Sequence, residues 1–385
     1  MSVFKYYSPK CTLFGYECLT GLGDEIKTIG VKKGLIVTDK SLVELGIVAK
    51  VIETLDNSGI KHFIFDGVKP NPTVSNVKSG LQAQKDNNCD FLISVGGGSA
   101  HDCAKAICIL ATNGGEISDY KGMDKSTVMP LPLVAVNTTA GTASECTRAY
   151  VIVEEETNNK YGARDKNIIP AISVDDHALM MGLPKGLTAG TGMDALTHAV
   201  ECYVSVNVFC LTASLALAAI KLVFSNLEEA VTASTEKSRE GMAAGQYLAG
   251  LAFGNSGCGM VHSMSHQLSA VYDLPHGLCN AILLPEVLKF NCGSEVAMVQ
   301  LAALADDIFT AECRELSTPQ KAELFIKKVE KLSDAIGTSK GLASLGVKPE
   351  DIPVLAEKAL LDGSLGNNPV KPTKEQVMSI YKILL

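Results

Sequence analysis

Several things are missing from this sequence, and each absence excludes a class of protein. The twelve cysteines are scattered, none with Cys-x-x-Cys or other paired spacing, so a disulfide framework is not expected and reduced thiols in a cytoplasmic setting are. The opening Met-Ser-Val-Phe-Lys-Tyr-Tyr has no apolar core followed by a small-residue cleavage site, so no secretory signal is expected. No charge-free apolar run reaches the ~20 residues a bilayer span needs. The most apolar stretch, Val206 to Ile220, contains Asn207, Thr212 and Ser214, ends at Lys221, and reads as a buried helix. Positive charge is short: 34 Lys and Arg face 42 Asp and Glu, a net charge of -8, which disfavours nucleic acid or an anionic membrane as partner and favours small molecules. Repeats, low-complexity linkers and blocks of like charge are also missing.

What is present describes a soluble globular protein, 46% hydrophobic and 20% charged over 385 residues, a length at which two domains are expected. The first half alternates short β-rich runs with helical patterns. Lys33–Thr38, Lys61–Phe65, Asp90–Val95 and Leu131–Asn137 read as strands, with amphipathic segments such as Ser75–Asn88 between them. A further β-rich pair follows at Tyr150–Glu154 and Ile168–Val174. Such alternation argues for a parallel α/β sheet. From about Leu187 onward, Ala/Leu/Met-rich windows such as Thr212–Glu229 and Ser238–Phe253 read as all-helical. The expected division is an α/β domain over residues 1–184 and a helical domain over residues 185–385.

Three of the seven histidines fall within Val261 to Gly277, at His262, His266 and His276, and a fourth, His198, lies four residues after Asp194. Asp194/His198 and His262/His266 each have the i,i+4 spacing that puts two side chains on one helical face. One carboxylate and four imidazoles form a metal-ligand vocabulary, but they outnumber the three or four protein ligands a catalytic divalent ion takes while keeping a position open. At least one of the five has another task.

The strand ending at Val95 runs into Gly96-Gly97-Gly98-Ser99 and then a helical Ala100-His101-Asp102. Strand, glycine loop and helix make an anion cradle, although a plain βα turn with Ser99 as N-cap would look the same. The loop is neither G-x-G-x-x-G nor a G-K-[ST] phosphate loop. A hydroxyl-rich loop, Thr138 to Glu145, follows the next strand and offers donors to phosphate or carboxamide oxygens, though such clusters also cap helices. Asp39 ends the strand Lys33–Thr38, where an acidic residue holds adenosine ribose hydroxyls and repels a 2′-phosphate, or merely starts a turn.

Together GGGSAHDCAKA (96–106), TTAGTASE (138–145), GMDALTHAVECYVS (192–205) and the stretch from His262 through LPHGLCNAILLP (274–285) strongly resemble the iron-dependent (group III) alcohol dehydrogenases, over nearly the whole chain. Within that family the chain is most similar to the 1,3-propanediol, methanol and lactaldehyde/propanediol enzymes. The resemblance implies the α/β plus all-α, dehydroquinate-synthase-like architecture, with an N-terminal nucleotide-binding domain and a C-terminal helical one. It implies that Asp194, His198, His262 and His276 hold the metal while His266 lies beside it near the nicotinamide, the natural proton relay. It also implies that Asp39, Gly97, Gly98, Ser99, Thr138, Thr139, Thr142, Lys160 and Asn71 face NAD, and that Phe253 walls the substrate.

The activity so implied is hydride transfer between a short-chain primary alcohol or diol and NAD, with aldehyde reduction in reverse, in a homo-oligomer, either a dimer or a larger assembly. Ligand type alone permits zinc as well as iron, and only the resemblance favours ferrous iron. A zinc-dependent glycerol-dehydrogenase-like enzyme and a catalytically silent scaffold are the rival readings. Glu286 and the stretch Leu361 to Gly366 depart from the relatives' usual residues, which bears on substrate preference and entrance shape.

Overall fold

The structure, a computed structural model, describes residues 3–156 and 159–385. The chain forms two compact units, one of Lys5–Gly182 and one of Leu183–Leu385 together with the N-terminal segment ending at Phe4. Phe4 belongs to the second because its ring stacks on Phe209, 4.6 Å between centroids.

The first unit contains strands β1 (Cys11–Phe14), β2 (Lys33–Val37), β3 (Lys61–Phe65), β4 (Phe91–Gly96), β5 (Gly122–Met123), β6 (Leu133–Asn137), β7 (Ala149–Glu154), β8 (Asn159–Arg164) and β9 (Ile172–Asp175). Six of them form one sheet in the order β1-β9-β6-β4-β2-β3, with every pair parallel. Helices α1 (Lys40–Glu44), α2 (Val74–Asn87) and α3 (Gly98–Asn113) supply crossovers. A parallel sheet is covered on both faces, so its inner strands are continuously apolar rather than alternating. β4 (FLISVG) and β6 (LVAVN) are buried at every position. Successive residues feed opposite cores: Leu35, Val37 and Leu92 join one apolar cluster, and Ile36, Phe91, Ile93 and Val95 join the other.

The β-rich pair read near residue 150 divides between two sheets. β9 enters the parallel sheet, whereas β7 pairs antiparallel with β8, and β5 adds to β8 in a separate three-stranded sheet. β8 (NKYGAR) was not expected because its composition lacks β-branched residues, and β1 was not because it is a four-residue edge strand that buries no residue fully.

Among the described residues the second unit holds helices and no strand. Those that matter for the site are α4 (Lys185–Val204), α5 (Cys210–Thr232), α6 (Glu236–Ser256), α7 (Met260–Tyr272) and α8 (His276–Asn291). The apolar stretch read as short from sequence corrects to a 23-residue helix, α5, which is long and apolar enough by length and composition to cross a membrane. In this fold it packs on α4 and α6 through Ala216, Ala219, Ile220, Val223 and Leu227, an i,i+3,i+4,i+7 stripe.

α4 is the central helix, packed against α5, α6 and α8. Its first turn is clamped by the buried guanidinium of Arg239, which donates to Thr188 Oγ1 at 2.9 Å, Leu183 O at 3.3 Å and Ser234 Oγ at 2.9 Å. α4 and α8 meet backbone to backbone: a Cβ built on Gly277 would lie 2.2 Å from the carbonyl oxygen of Gly190. Gly277→Ala should therefore force the two helices apart. The expected loss is at or above the ~1–3 kcal/mol usual for overpacking, because the obstacle is backbone and cannot change rotamer. It would be read as a lowered urea midpoint at unchanged slope; an unchanged midpoint would show that the crossing has slack.

Candidate functional site

α4 presents Asp194 and His198 from successive turns, α7 presents His262, and α8 opens with His276 just after Pro275 ends the preceding loop. Asp194, His198 and His262 are 2%, 5% and 3% exposed, and His276 is partly buried. The Nε2 atoms of His198, His262 and His276 lie 3.7, 3.6 and 3.6 Å from one atom, Asp194 Oδ1. An ion bound at about 2.1 Å from each donor spaces neighbouring donors roughly 3–3.5 Å apart, so these side chains already stand close to coordinating positions. A buried carboxylate facing three imidazoles suits a divalent cation. Burial alone would raise the Asp194 carboxyl, but His198, His276 and His262 outweigh it and hold the group well below the usual carboxylate range.

Among the described residues, Asp194, His262 and His276 offer donor atoms all within 4.8 Å of one another, and so do His198, Cys258 and His262. His266 belongs to neither set. Its Nδ1 lies 2.8 Å from Asp362 Oδ2. Thus the i,i+4 pair on α7, equivalent by spacing, is separated by geometry.

Four neighbours of these residues were not anticipated. Glu201 follows His198 on the same face of α4, at i+7 from Asp194. Its buried carboxylate accepts from Gly259 N at 2.9 Å, Val261 N at 2.6 Å and, at 2.6 Å, the Nδ1 of His262. One acid therefore satisfies the start of α7 and fixes His262 so that Nε2 faces Asp194. The i, i+4, i+7 pattern Asp194/His198/Glu201 was the available sequence signal. Asn280, one turn after His276, donates to Asp194 Oδ1 at 2.7 Å. Cys258 adds a sulfur beside two imidazoles, and Asp362 comes from the distant C-terminal segment. Neither had a local signature. Phe253, expected as a substrate wall, stacks flat on the His198 imidazole, 4.0 Å between centroids at 10°.

In the first unit the chain winds from β2 to β3 on one side and from β4 onward on the other, so the winding direction reverses between β2 and β4. In parallel sheets ligands bind outside the strands' carboxyl ends at such a reversal. Asp39 follows β2, Gly97 to Ser99 follow β4, and Thr138 to Thr142 follow β6. The two loops are in contact: a Cβ on Gly97 would lie 2.9 Å from Thr139 Oγ1, and one on Gly98 would lie 3.0 Å from Thr142 Cγ2. Thr138 N donates to Gly96 O at 3.1 Å. Gly97, not Ser99, is the N-cap of α3; it gives the helix no side-chain cap, and Ser99 lies within the first turn. Asp39 caps α1 by accepting from Leu42 N at 3.1 Å, so the turn-starting reading describes part of its role. Asn71, in the left-handed region at φ 54°, accepts from Lys160 Nζ at 2.9 Å. These two form their own pair.

The sequence pattern described as iron-containing alcohol dehydrogenase matches residues 9–177, and that of the family's C-terminal region matches residues 188–385. The chain belongs to the iron-containing alcohol dehydrogenase family. It is 45% identical to alcohol dehydrogenase 4 of Schizosaccharomyces pombe over 99% of this chain and 89% of that one. It is 43% identical to the 1,3-propanediol dehydrogenase of Citrobacter freundii over 99% and 98%. A crystal structure of 1,3-propanediol oxidoreductase superposes with a TM-score of 0.97 at 42% identity, covering 100% of both chains. The chain is therefore an enzyme, an alcohol and diol oxidoreductase of the iron-containing type, with the α/β plus all-α architecture of that family.

Proposed function

We propose that the enzyme oxidises short-chain primary alcohols or diols with NAD and reduces the matching aldehydes in reverse, using ferrous iron held by Asp194, His198, His262 and His276. The observation that supports this most directly is the convergence of three imidazole Nε2 atoms on Asp194 Oδ1 at 3.6–3.7 Å in a buried setting. A divalent ion held there supplies Lewis acidity to the alcohol oxygen. Around it the chain's own groups divide the remaining tasks. Asn280 orients Asp194, Glu201 orients His262, and Phe253 packs the His198 ring. His266, outside the ligand set, takes the alcohol proton in oxidation and returns it in reduction.

On the nucleotide side Gly97, Gly98, Ser99, Thr138, Thr139 and Thr142 approach the diphosphate and carboxamide, Lys160 and Asn71 act as a pair, and Asp39 accepts from the adenosine ribose. Eight of the twelve cysteines are buried, where they pack as small apolar side chains, and this suits a cytoplasmic enzyme. The family supports a homo-oligomer. Zinc is a second reading of the metal, favoured by the soft sulfur of Cys258 beside His198 and His262.

The test of function is an anaerobic assay of a panel of short alcohols, diols and aldehydes with NAD(H) and NADP(H) on protein loaded separately with iron and zinc. Alcohol-dependent NADH formation that depends on ferrous iron is expected. Turnover in protein shown to contain no metal would refute the mechanism, and turnover with zinc alone would select the second reading.

Asp39→Gly should raise the use of NADP relative to NAD, because the carboxylate accepts from ribose hydroxyls and repels a 2′-phosphate. An unchanged cofactor ratio would remove Asp39 from the ribose. His262→Ala should lose most of its metal on purification, with activity falling in step. His266→Ala should keep near wild-type metal while turnover falls by about 10²-fold to 10⁴-fold. The reverse pattern of metal content would overturn the ligand assignment.

A further inference from the structure

His266 is fixed by more than its place on α7. Its ring lies nearly parallel to that of His276, 5.2 Å between centroids at 18°, and meets the ring of His262 edge-on at 5.9 Å and 73°. The third constraint is polar: Nδ1 lies 2.8 Å from Asp362 Oδ2. Asp362 is itself anchored, because its other oxygen accepts from Ser364 N at 2.8 Å as the cap of the short turn Gly363–Asn367.

That turn leads into Asn368, whose Oδ1 accepts from Met260 N at 3.1 Å and from Asn291 Nδ2 at 3.2 Å, and whose Nδ2 donates to Asn291 Oδ1 at 2.8 Å. One C-terminal strap therefore grips the first residue of α7 and, through Asp362, the His266 ring on its second turn. An ionised carboxylate only accepts hydrogen bonds, so the Nδ1 facing it carries the hydrogen and the second nitrogen is left as the ring's acceptor.

We propose that Asp362 is the positioning residue of this enzyme's acid–base machinery: it holds His266 as the Nδ1–H tautomer and so leaves Nε2 as the ring's single proton acceptor. This rests on the reading of His266 as the proton relay.

Asp362→Asn tests the assignment. The new amide oxygen can still accept from Ser364 N, preserving the turn, while its NH₂ faces His266 Nδ1. A donor there demands that Nδ1 become an acceptor, which moves the ring hydrogen to Nε2. Two measurements are needed. In zinc-loaded protein, which is diamagnetic, the imidazole ¹⁵N shifts of His266, identified by their loss in His266→Ala, should show Nδ1 protonated in the wild type and Nε2 protonated in Asp362→Asn. In the active metal form, kcat of Asp362→Asn should fall by roughly 10²-fold to 10⁴-fold with KM and metal content close to wild type. Asp362→Ala should fall as well, and by much less when His266 is already alanine.

An unchanged ¹⁵N pattern in Asp362→Asn overturns the proposal, as does an Asp362→Ala loss of equal size with and without His266. A tautomer that inverts while kcat stays constant upholds the positioning role and overturns instead the reading of His266 as the relay.

Discussion

Asp194 Oδ1 accepts from the Asn280 amide at 2.7 Å and has three imidazole nitrogens within 3.7 Å, in a region where its own side chain is almost wholly buried. Burying a carboxylate and several imidazoles is costly unless each finds a charge-compensating or hydrogen-bonding partner. The helical unit is organised to supply them. α4 contributes the acid, one imidazole and Glu201 along a single face. α8 approaches α4 closely enough, at Gly277 against Gly190, to deliver His276 and Asn280 from successive turns. α7 begins on the Glu201 carboxylate, so the group that caps the helix also orients its first histidine. Any loosening of these helices therefore changes the spacing of the donor atoms.

The α/β unit solves a different problem, bringing uncharged backbone and hydroxyl donors close together at the carboxyl ends of adjacent parallel strands. Thr38 Oγ1 donates to Val95 O at 2.9 Å and Thr138 N donates to Gly96 O at 3.1 Å, which couples the exits of β2, β4 and β6. Behind the loops lies a buried cation. Lys105 on α3 donates to Ser144 O at 2.6 Å, Ser144 Oγ at 2.7 Å and Ala149 O at 2.7 Å, and Ser144 Oγ in turn donates to Asp102 at 2.7 Å. Burial pulls the Lys105 amine down to about 8, while Asp102 and Glu145 oppose the fall. The hydroxyl-rich loop is thus fastened to the helix that begins at the glycine loop.

Features set by local pattern were legible in the sequence. The strand Lys61–Phe65 was read with its observed bounds, α2 and α5 were found to within a few residues, and the i,i+4 pairs marked the faces that turn inward. The glycine loop followed from strand, Gly-Gly-Gly and helix in succession. Features that depend on which distant group fills a hydrogen-bond position were not legible. Glu201 and His262 are 61 residues apart, and His266 and Asp362 are 96 apart. Carboxylates are common on helix faces and in turns, and nothing local says which one will meet an imidazole. The antiparallel pairing of β7 with β8 was hidden for a related reason, since strand pairing is decided by packing against cross-strand neighbours more than by composition.

The histidines of α7 also show why spacing could not separate His262 from His266. His262 and His266 both turn Nδ1 toward a carboxylate, Glu201 in one case and Asp362 in the other. Each carboxylate thereby fixes the Nδ1 edge of its ring and leaves Nε2 as the other edge. His276 directs its Nδ1 at Ser265 Oγ, 3.4 Å away, and its Nε2 at Asp194. For His262 and His276 the Nδ1 edge thus meets the scaffold while the Nε2 edge faces Asp194. What distinguishes the residues is only where that second edge lies. His262 Nε2 is 3.6 Å from Asp194 Oδ1, whereas His266 meets Asp362 through its Nδ1. One helical turn, about 5.4 Å along α7, is enough to carry a ring held in the same way out of the two clusters of donor atoms.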